Sequence, residues 1–461
     1  MAVTRTVVVG GGIAGLVAAY LLGEDPNRDV LVLEGSPQLG GKLRLAEVGG
    51  VSVDVGAEAM LARRPEGVAL VRELGLPVVH PVTTRSQLWS RDALRPLPRS
   101  LMGVPLDVEE LAASGVLSPD GLRRVQAEPS LPPAELDDAD LSVGELVAGR
   151  LGEEVVDRLV EPLLGGVYAG HARELSARAT TPQLVAMLDR GSLLEAAAAA
   201  VPRTMAPVFA GTPGGLGQLP AALLATRRFT ARTGATVREL RGADGGYGLV
   251  VGSAHQSEQV HADEVVLAVP AAPAARLLTD LAPTAAVELA AVEYASTAVV
   301  TLAFRAQGFP VAEGSSGFLV PPVEERRIKA STFSFAKWAW VRAAGRDVLD
   351  GEDLLVLRTS LGRHREEASL QASDEELVTA SLADLEQAIG PTGPPVDTHV
   401  QRWGGGLPQY AVGHLDRVAR IREDVARVPG LAVCGAAYDG VGIPAVIASA
   451  RRAADEVRAA E

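Results

Sequence analysis

The residues best suited to chemistry near the start of the chain are the glycines Gly10, Gly12 and Gly15, which match G-x-G-x-x-G. They follow the β-branched run 7–9 and open a stretch whose apolar residues recur at helical spacing. Between a strand and a helix, such glycines allow a tight turn, close approach of the backbone to a pyrophosphate, and close helix packing. The N–H groups of the helix N-terminus would face the anion. The stretch therefore predicts a dinucleotide-binding turn.

An acidic residue stands where a nucleotide ribose would need one. A second apolar run, 30–33, ends at Glu34, about 20 residues after the last glycine, and a carboxylate there can accept hydrogen bonds from ribose hydroxyls. The rival interpretation is a membrane span or signal peptide over the uncharged residues 6–23. Three consecutive glycines interrupt that stretch, only Arg5 precedes it, and no small-residue cleavage site follows before Glu24. We therefore favour the nucleotide.

Composition narrows the class of protein. With 461 residues, 47% of them hydrophobic and 22% charged, the chain is long enough for two or three globular domains. Its one cysteine, Cys434, excludes an intramolecular disulfide framework and suits a reducing cytosol, so we expect a cytoplasmic protein. The net charge of −14 argues against nucleic acid as a partner. No metal-ligand or Ser-His-Asp pattern is found at motif spacing.

Two further segments extend the nucleotide interpretation. Gly40 and Gly41 form a second glycine pair followed by Lys42, and 54–59 reads Asp-Val-Gly-Ala-Glu-Ala. Both are typical of flavoproteins with two dinucleotide-binding folds, although the glycine pair alone could also be a surface turn. Ser142, three residues before a glutamate, predicts a capped helix in the middle of the chain.

Later segments resemble the oxygen-dependent porphyrinogen oxidases of the flavin amine oxidase superfamily, over nearly the whole chain. The Gly-Gly-Val-Tyr-Ala-Gly and Leu-Pro-Gln-Tyr stretches are the most specific to these oxidases. The segments that carry the resemblance are 165–171 with 175–176, 332–338, 402–403 with 407–410 and 413–414, and 435–444.

The resemblance implies an α/β flavoprotein of the two-dinucleotide-binding-domain type. It would have a parallel-sheet FAD domain, an antiparallel-sheet substrate domain and a helical insertion. The predicted FAD domain comprises 1–80, 207–275 and 401–461, the substrate domain 81–100 and 276–400, and the helical domain 101–206. FAD would be bound non-covalently, since Cys434 reads as a small buried residue of an apolar strand rather than a flavin anchor.

The resemblance also implies the site residues. Flavin N5 would accept the hydride, so no catalytic side chain is assigned. FAD contacts are expected from Gly10, Gly11, Gly12, Ile13, Ala14, Gly15, Glu34, Gly35, Lys42, Gly56, Ala57, Glu58, Ala59, Val237, Trp403, Val441, Gly442 and Ile443. Candidates for binding the substrate carboxylates are Arg63, Arg64 and Lys337, against the alternative of solvated charges. Met102 stands where some relatives have a substrate-binding arginine, and His414 is either structural or close to the flavin.

The family implies six-electron oxidation of a porphyrinogen, with dioxygen reduced to peroxide. Coproporphyrinogen III carries four propionates and protoporphyrinogen IX carries two. The arginine-rich composition, typical of high-GC bacteria, favours the former. Alternatives are protoporphyrinogen with residues 101–205 docked on a membrane, an amine oxidase, and a non-catalytic flavin- or porphyrin-binding protein. The sequence identifies neither the oligomeric state nor a haem-pathway partner.

Overall fold

The structure is a computed structural model that describes residues 3–132, 139–189, 191–200, 206–310, 314–348 and 351–459. It contains three modules, which we call the nucleotide module, the sheet module and the helical module. The strands are β1 Thr4–Val9, β2 Arg28–Leu33, β3 Leu45–Val48, β4 Val51–Asp54, β5 Met60–Leu61, β6 Ser86–Ser90, β7 Ala93–Pro96, β8 Ser100–Leu101, β9 Val104–Pro105, β10 Phe209–Ala210, β11 Thr230–Arg232, β12 Val237–Ala243, β13 Gly246–Gly252, β14 Ser257–Ala262, β15 Glu264–Leu267, β16 Tyr294–Arg305, β17 Gly317–Leu319, β18 Ile328–Thr332, β19 Leu354–Leu361, β20 Asp397–Pro408 and β21 Leu431–Val433.

The helices alternate with these strands and cluster in the middle of the chain. They are α1 Ile13–Leu22, α2 Pro65–Glu73, α3 Val108–Ser114, α4 Pro119–Gln126, α5 Val143–Leu151, α6 Glu153–Val155, α7 Glu161–Tyr168, α8 Ala177–Thr180, α9 Pro182–Leu188, α10 Leu193–Ala200, α11 Leu219–Ala225, α12 Ala271–Leu278, α13 Pro283–Ala290, α14 Ser334–Lys337, α15 Ala339–Ala344, α16 Asp374–Ile389, α17 His414–Val425 and α18 Ile443–Arg458.

The nucleotide module is built on a parallel sheet in the order β11-β2-β1-β15-β21. Its strands are apolar on both faces because both faces are covered. One face packs on α1, α2, α11 and α18, and the other on α12, α13, α17 and the β12–β14 meander. β1 lies between β2 and β15, which are more than 200 residues apart in sequence, and β21 from near the end of the chain forms one edge, so the chain leaves this sheet and returns to complete it.

The sheet module holds seven strands in the order β20-β16-β19-β18-β17-β6-β7. The long strand β16 pairs antiparallel with β19 and β20. The β6–β7 hairpin joins the far edge through a parallel pairing of β6 with β17, so the sheet is antiparallel except at that pair. The predicted short strands at 81–100 therefore belong to the same sheet as strands more than 200 residues later.

The helical module comprises α3–α10 and the β8–β9 hairpin around one apolar core. The predicted cap at Ser142 is present: the Ser142 hydroxyl accepts a hydrogen bond from the Glu145 amide, and the Glu145 carboxylate accepts one from the Ser142 amide. Residues 133–138, 190 and 201–205 of the predicted 101–206 segment lie outside the described residues.

Two elements depart from the predicted domain division. β20 runs to Pro408, so the sheet module extends beyond residue 401. α13 lies after residue 275 yet packs on α17 and the nucleotide core. Within the described ranges, no helix has both the length and the hydropathy needed to cross a bilayer. The uncharged segment that suggested a membrane span is instead β1, the glycine turn and α1.

Asp54 joins the first part of the nucleotide module to the second. This buried carboxylate, at the end of β4, accepts hydrogen bonds from the amides of Leu216 and Gly217, at 2.9 and 2.8 Å. Those amides lie in the turn that leads into α11 and would otherwise be unpaired. The contact spans more than 160 residues of sequence and closes the module where the chain returns to it.

We predict that Asp54→Ala lowers the free energy of unfolding by about 3 kcal/mol, because two buried amides lose their acceptor. Asp54→Asn keeps one acceptor oxygen, so its free energy of unfolding should lie between that of Asp54→Ala and that of the wild type. The matched control is Asp397→Ala, which removes an exposed carboxylate that accepts from the Gly49 amide at 2.7 Å. Urea unfolding of all three variants measures the effect, and equal losses for Asp54→Ala and Asp397→Ala would contradict the bridging role.

Candidate cofactor and substrate site

The predicted adenosine end of the site is assembled from two parts of the chain. The Ala235 amide donates to the Glu34 carbonyl oxygen at 2.8 Å, which sets Val237 beside Glu34. A Cβ on Gly35 would lie 3.0 Å from the Thr236 hydroxyl oxygen, so the two segments touch. The Glu34 carboxylate accepts from the Gly11 amide at 2.6 Å and from the Ser36 amide at 2.7 Å. A carboxylate has about four lone-pair positions, so two remain for ribose hydroxyls.

The glycine turn between β1 and α1 has the shape that a pyrophosphate needs. A Cβ on Gly15 would lie 1.9 Å from the Gly10 carbonyl oxygen, so only glycine lets the helix pack this closely on the turn. Above Gly12 the space is open, with no protein atom within 4 Å of a built Cβ. Gly12 is the N-cap of α1 and no side chain caps the helix. Its first amides, including those of Ile13 and Ala14, are therefore free to bind an anion.

The second glycine pair lies directly against the first turn. The Gly40 amide donates to the Gly11 carbonyl oxygen at 2.7 Å, and Gly12 and Gly40 form an isolated β-bridge. Lys42 follows and is exposed. We call the groove that runs from the open space above Gly12 past Lys42 the crevice. Protein surrounds it closely enough that burial lowers the pKa of its ammonium group. A cation in these surroundings is well placed to balance a phosphate charge.

The segment from Gly56 to Ala59 continues the crevice. A Cβ on Gly56 would lie 2.0 Å from the Lys42 carbonyl oxygen and 3.1 Å from the Trp403 ring, so the backbone passes between them. The Ala57 amide donates to the same carbonyl oxygen at 3.1 Å. The Trp403 indole N–H donates to the Val55 carbonyl oxygen at 3.4 Å, which places this half-buried ring over the segment. Ala59 packs on the apolar cluster around Trp338.

The crevice ends at the turn formed by residues 435–442, which we call the terminal turn. A Cβ on Gly435 would lie 4.0 Å from the Ala14 Cβ, so this turn meets the start of α1. Gly442 is the exposed N-cap of α18, again without a side-chain cap. Ile443 is buried in the nucleotide core, whereas Val441 packs on the core of the helical module. The two uncapped helix N-termini, of α1 and α18, therefore lie along one crevice, and these residues fit FAD.

We call the exposed apolar surface around Gly166 and Val167, with the neighbouring Leu319, the apolar opening. Gly166 and Val167 are exposed near the end of α7 although their neighbours on that helix are buried. A Cβ on Gly166 would lie 3.9 Å from Leu319 of the sheet module. Leu319, Met102 and Val441 all pack on the helical core from different sides. The opening is thus walled by apolar groups and adjoins the terminal turn.

The two predicted substrate arginines differ in their surroundings. The Arg64 guanidinium donates to the Glu66 carboxylate at 2.8 Å, so it has a partner within the protein. Arg63 is exposed and, among the described residues, makes no ion pair. It follows β5, whose partner strand β10 contains Phe209. Arg63 is therefore the freer of the two cations.

Lys337 and Glu58, predicted as a substrate contact and a cofactor contact, are brought together. The Lys337 ammonium donates to the Glu58 carboxylate at 2.6 Å, and the Arg358 Nε lies 3.3 Å from the other carboxylate oxygen. The three side chains are only 16%, 7% and 16% exposed for Lys337, Glu58 and Arg358. Burial alone would raise the pKa of Glu58, but Arg358 and Lys337 outweigh it and lower the pKa to about 2. Lys337 is thus already neutralised by a protein group.

Arg358 is a functional residue that the sequence reasoning missed. Besides Glu58, its guanidinium donates to the carbonyl oxygens of Asp54 at 3.2 Å and Gly56 at 2.7 Å. It therefore fixes the backbone of the segment expected to contact the flavin. The one available signal was a charged residue in the middle of the apolar strand β19. Within the described residues, no group of three or more His, Cys, Asp and Glu side chains is arranged to hold a metal ion.

His414 is buried inside the protein and stacks on Tyr410. The ring centroids are 3.8 Å apart with planes 15° from parallel, and neither imidazole nitrogen has a hydrogen-bond partner among the described residues. Burial lowers the pKa of His414 to about 4, and the nearby Arg417 acts in the same direction. The imidazole is therefore neutral at physiological pH and serves as a packing group.

We predict that Glu58→Gln lowers the free energy of unfolding by about 3 kcal/mol, because two poorly solvated cations lose their carboxylate. Lys337→Met should cost about half as much, since Arg358 and Ser334 still bind Glu58. The double variant should lose less than the two single losses added together. Denaturant unfolding at pH 7 measures all three, and strict additivity would show that the pair does not interact.

His414→Phe should change how stability depends on pH. The folded-state pKa of about 4 lies below the ordinary value of 6.5, so the unfolded chain binds the proton more tightly. The contribution of His414 is therefore full above pH 6.5 and falls by about 3 kcal/mol as the pH drops towards 4. His414→Phe keeps the stacking and should remove this loss. Free energies of unfolding of the wild type and of His414→Phe, measured from pH 7.5 to 4.5, test this prediction. The same dependence on pH for both proteins would contradict it.

The chain was compared with known proteins. A family profile described as flavin containing amine oxidoreductase matches residues 13–458. The chain is 40% identical to a coproporphyrinogen III oxidase of Mycobacterium leprae (strain TN), over 98% of each sequence. It is 30% identical to a protoporphyrinogen oxidase of Bos taurus, over 99% of each.

A solved structure agrees with these similarities. The crystal structure of a provisionally named protoporphyrinogen oxidase from Exiguobacterium sp. 255-15 superimposes with a TM-score of 0.88 at 33% identity, over 100% of both chains. The predicted fold class is thereby confirmed, and the flavin family confirms the predicted cofactor, FAD. Since the family profile covers nearly the whole chain, this protein belongs to the flavin containing amine oxidoreductase family.

Proposed function

We propose that this protein oxidises coproporphyrinogen III to coproporphyrin III, with FAD as cofactor and dioxygen as electron acceptor. The observation that carries the proposal is the full-length identity of 40% to an enzyme of that name. In the overall reaction the porphyrinogen loses six hydrogen atoms, and three dioxygen molecules each gain two to give hydrogen peroxide. When bound, FAD supplies the acceptor for each hydride.

The geometry of the site supports this assignment. The crevice ends at the terminal turn, and the apolar opening beside it is bounded by Gly166, Leu319 and Val441. A flat macrocycle needs such an apolar slot next to the cofactor. Gly166 leaves room on the helical side, and the buried Tyr168 helps to exclude water from behind α7. The protein's own residues would thus bind the macrocycle, orient it towards the cofactor and exclude water from the site.

Protoporphyrinogen IX is the second candidate substrate. The Bos taurus relative and the Exiguobacterium structure carry that name. The two porphyrinogens share the macrocycle and differ in the number of propionates. The preference for one substrate therefore depends on cations placed to contact the propionates at the edge of the macrocycle. We propose Arg63 as such a cation because it is exposed and, in the described part of the chain, has no carboxylate partner.

The activity is tested by supplying coproporphyrinogen III, protoporphyrinogen IX and a panel of amines to the purified yellow protein in air. We expect porphyrin fluorescence and peroxide to appear fastest with coproporphyrinogen III. Turnover of amines alone, or of no substrate, would overturn the proposal. Faster turnover of protoporphyrinogen IX would select the second candidate.

We predict that Arg63→Ala raises KM for coproporphyrinogen III about tenfold, which is the loss of one charge-assisted contact to a carboxylate. The effect on protoporphyrinogen IX should be smaller, and kcat should change little for either. Arg64→Ala should have a weaker effect, because Glu66 already binds that guanidinium. Arg72→Ala, at the far end of α2, is the control. Steady-state kinetics with both porphyrinogens test this prediction. Equal changes in KM for the two substrates on Arg63→Ala would contradict the assignment of Arg63 to the substrate site.

A further inference from the structure

One buried hydroxyl is bonded to the terminal turn at two points. The Tyr410 hydroxyl donates to the Ala436 carbonyl oxygen at 2.6 Å and accepts from the Gly440 amide at 2.7 Å. Tyr410 is 2% exposed, so both hydrogen bonds are shielded from water. A single side chain thereby joins the two ends of the stretch that leads into α18.

The terminal turn depends on such a bond because its backbone is unusual. Gly440 has φ +128°, and a Cβ there would lie 2.8 Å from the Ala445 Cβ. The Asp439 carboxylate forms ion pairs with Arg422 and Arg452, but these contacts fix the Asp439 side chain and not the backbone of the turn. The Gly440 amide itself is bonded by Tyr410. Without that acceptor, a half-buried N–H group would be left unpaired.

The opposite side of Tyr410 is bonded to the helical module. The Ser176 amide donates to the Tyr410 carbonyl oxygen at 2.7 Å. The preceding side chain, Gln409, donates from Nε2 to the Tyr168 carbonyl oxygen at 2.8 Å. The Tyr168 and Tyr410 rings pack with centroids 5.6 Å apart. Residues 409–410 therefore contact the wall of the apolar opening and the terminal turn at once.

We propose that Tyr410 is a positioning residue that holds the terminal turn in its FAD-binding conformation and couples it to the helical module. This inference rests on the proposed flavin-dependent function. A turn that populates the competent conformation only part of the time binds its ligand more weakly by that fraction. Docking of the helical module and binding of the cofactor consequently stabilise each other through residues 409–410.

The test is Tyr410→Phe, which keeps the ring and its packing and removes only the hydroxyl. We expect the dissociation constant of FAD, measured by the flavin fluorescence that appears when the holoprotein is diluted, to rise about tenfold. The visible absorption bands of the bound flavin should shift, because the N-terminus of α18 is held less firmly. Tyr247→Phe is the matched control: it removes a tyrosine hydroxyl that donates to the Pro429 carbonyl oxygen, outside the terminal turn, and it should leave FAD affinity and spectrum unchanged.

A second variant tests the coupling without touching the turn. Gln409→Leu removes the hydrogen bond to Tyr168 and should weaken FAD binding about threefold. If Tyr410→Phe lowers the unfolding temperature but leaves FAD affinity and spectrum at wild-type values, Tyr410 is merely structural and the inference fails. Unchanged affinity in Gln409→Leu would overturn the coupling. A wild-type protein that neither binds FAD nor oxidises porphyrinogens would instead overturn the proposed function.

Discussion

Close contact between backbone segments around the cofactor crevice is the constraint on which the rest of the structure depends. Gly15 approaches Gly10, and Gly56 approaches Lys42, so closely that a Cβ would collide with a carbonyl oxygen. The contact of Gly435 with Ala14 brings the N-termini of α1 and α18 to one crevice, where their uncapped amides can face phosphate and flavin oxygens. The chain must therefore return twice to the same parallel sheet, and the other two modules are insertions between those returns.

Bringing segments so close together buries polar groups, and the structure pairs them through long-range contacts. Asp54 accepts from the amides that begin the second part of the nucleotide module, and Arg358 fixes the backbone of the segment after Asp54. Glu58 binds two cations from the sheet module. The Asp54 contact joins two parts of the nucleotide module, and the Arg358 and Glu58 contacts join that module to the sheet module. The cofactor segment is therefore held by residues that need not touch the cofactor. Removing one partner leaves a desolvated charge or amide, which costs more than the contact itself contributes.

Local motifs made much of this predictable from the sequence. The glycine turn and the capped helix at Ser142 follow from residue spacing, and the family resemblance added FAD and the antiparallel sheet. The pairing of Glu58 with Lys337, 279 residues apart, could not be read from the sequence because no local pattern encodes a tertiary contact. For the same reason Lys337 was a reasonable substrate candidate: a rare lysine in an arginine-rich chain signals a specific contact, but not which partner it has. Arg358 was hidden within an apolar strand.

In the proposed site, the groups that would bind FAD and the macrocycle are separate from the exposed cations that would bind the propionates. This separation accounts for one fold acting on two porphyrinogens. Relatives named for coproporphyrinogen and for protoporphyrinogen both align over almost the whole chain. Under the proposed function the crevice would hold FAD and the apolar opening the macrocycle that both porphyrinogens share, so neither could distinguish the two substrates. Discrimination requires groups that contact one substrate and find nothing to bind on the other. Exposed cations such as Arg63 meet that condition, whereas Lys337 is already bound by Glu58. If the proposed contacts hold, substrate preference would change with the exposed cations, while the internal ion pairs that fix the cofactor segment stay the same.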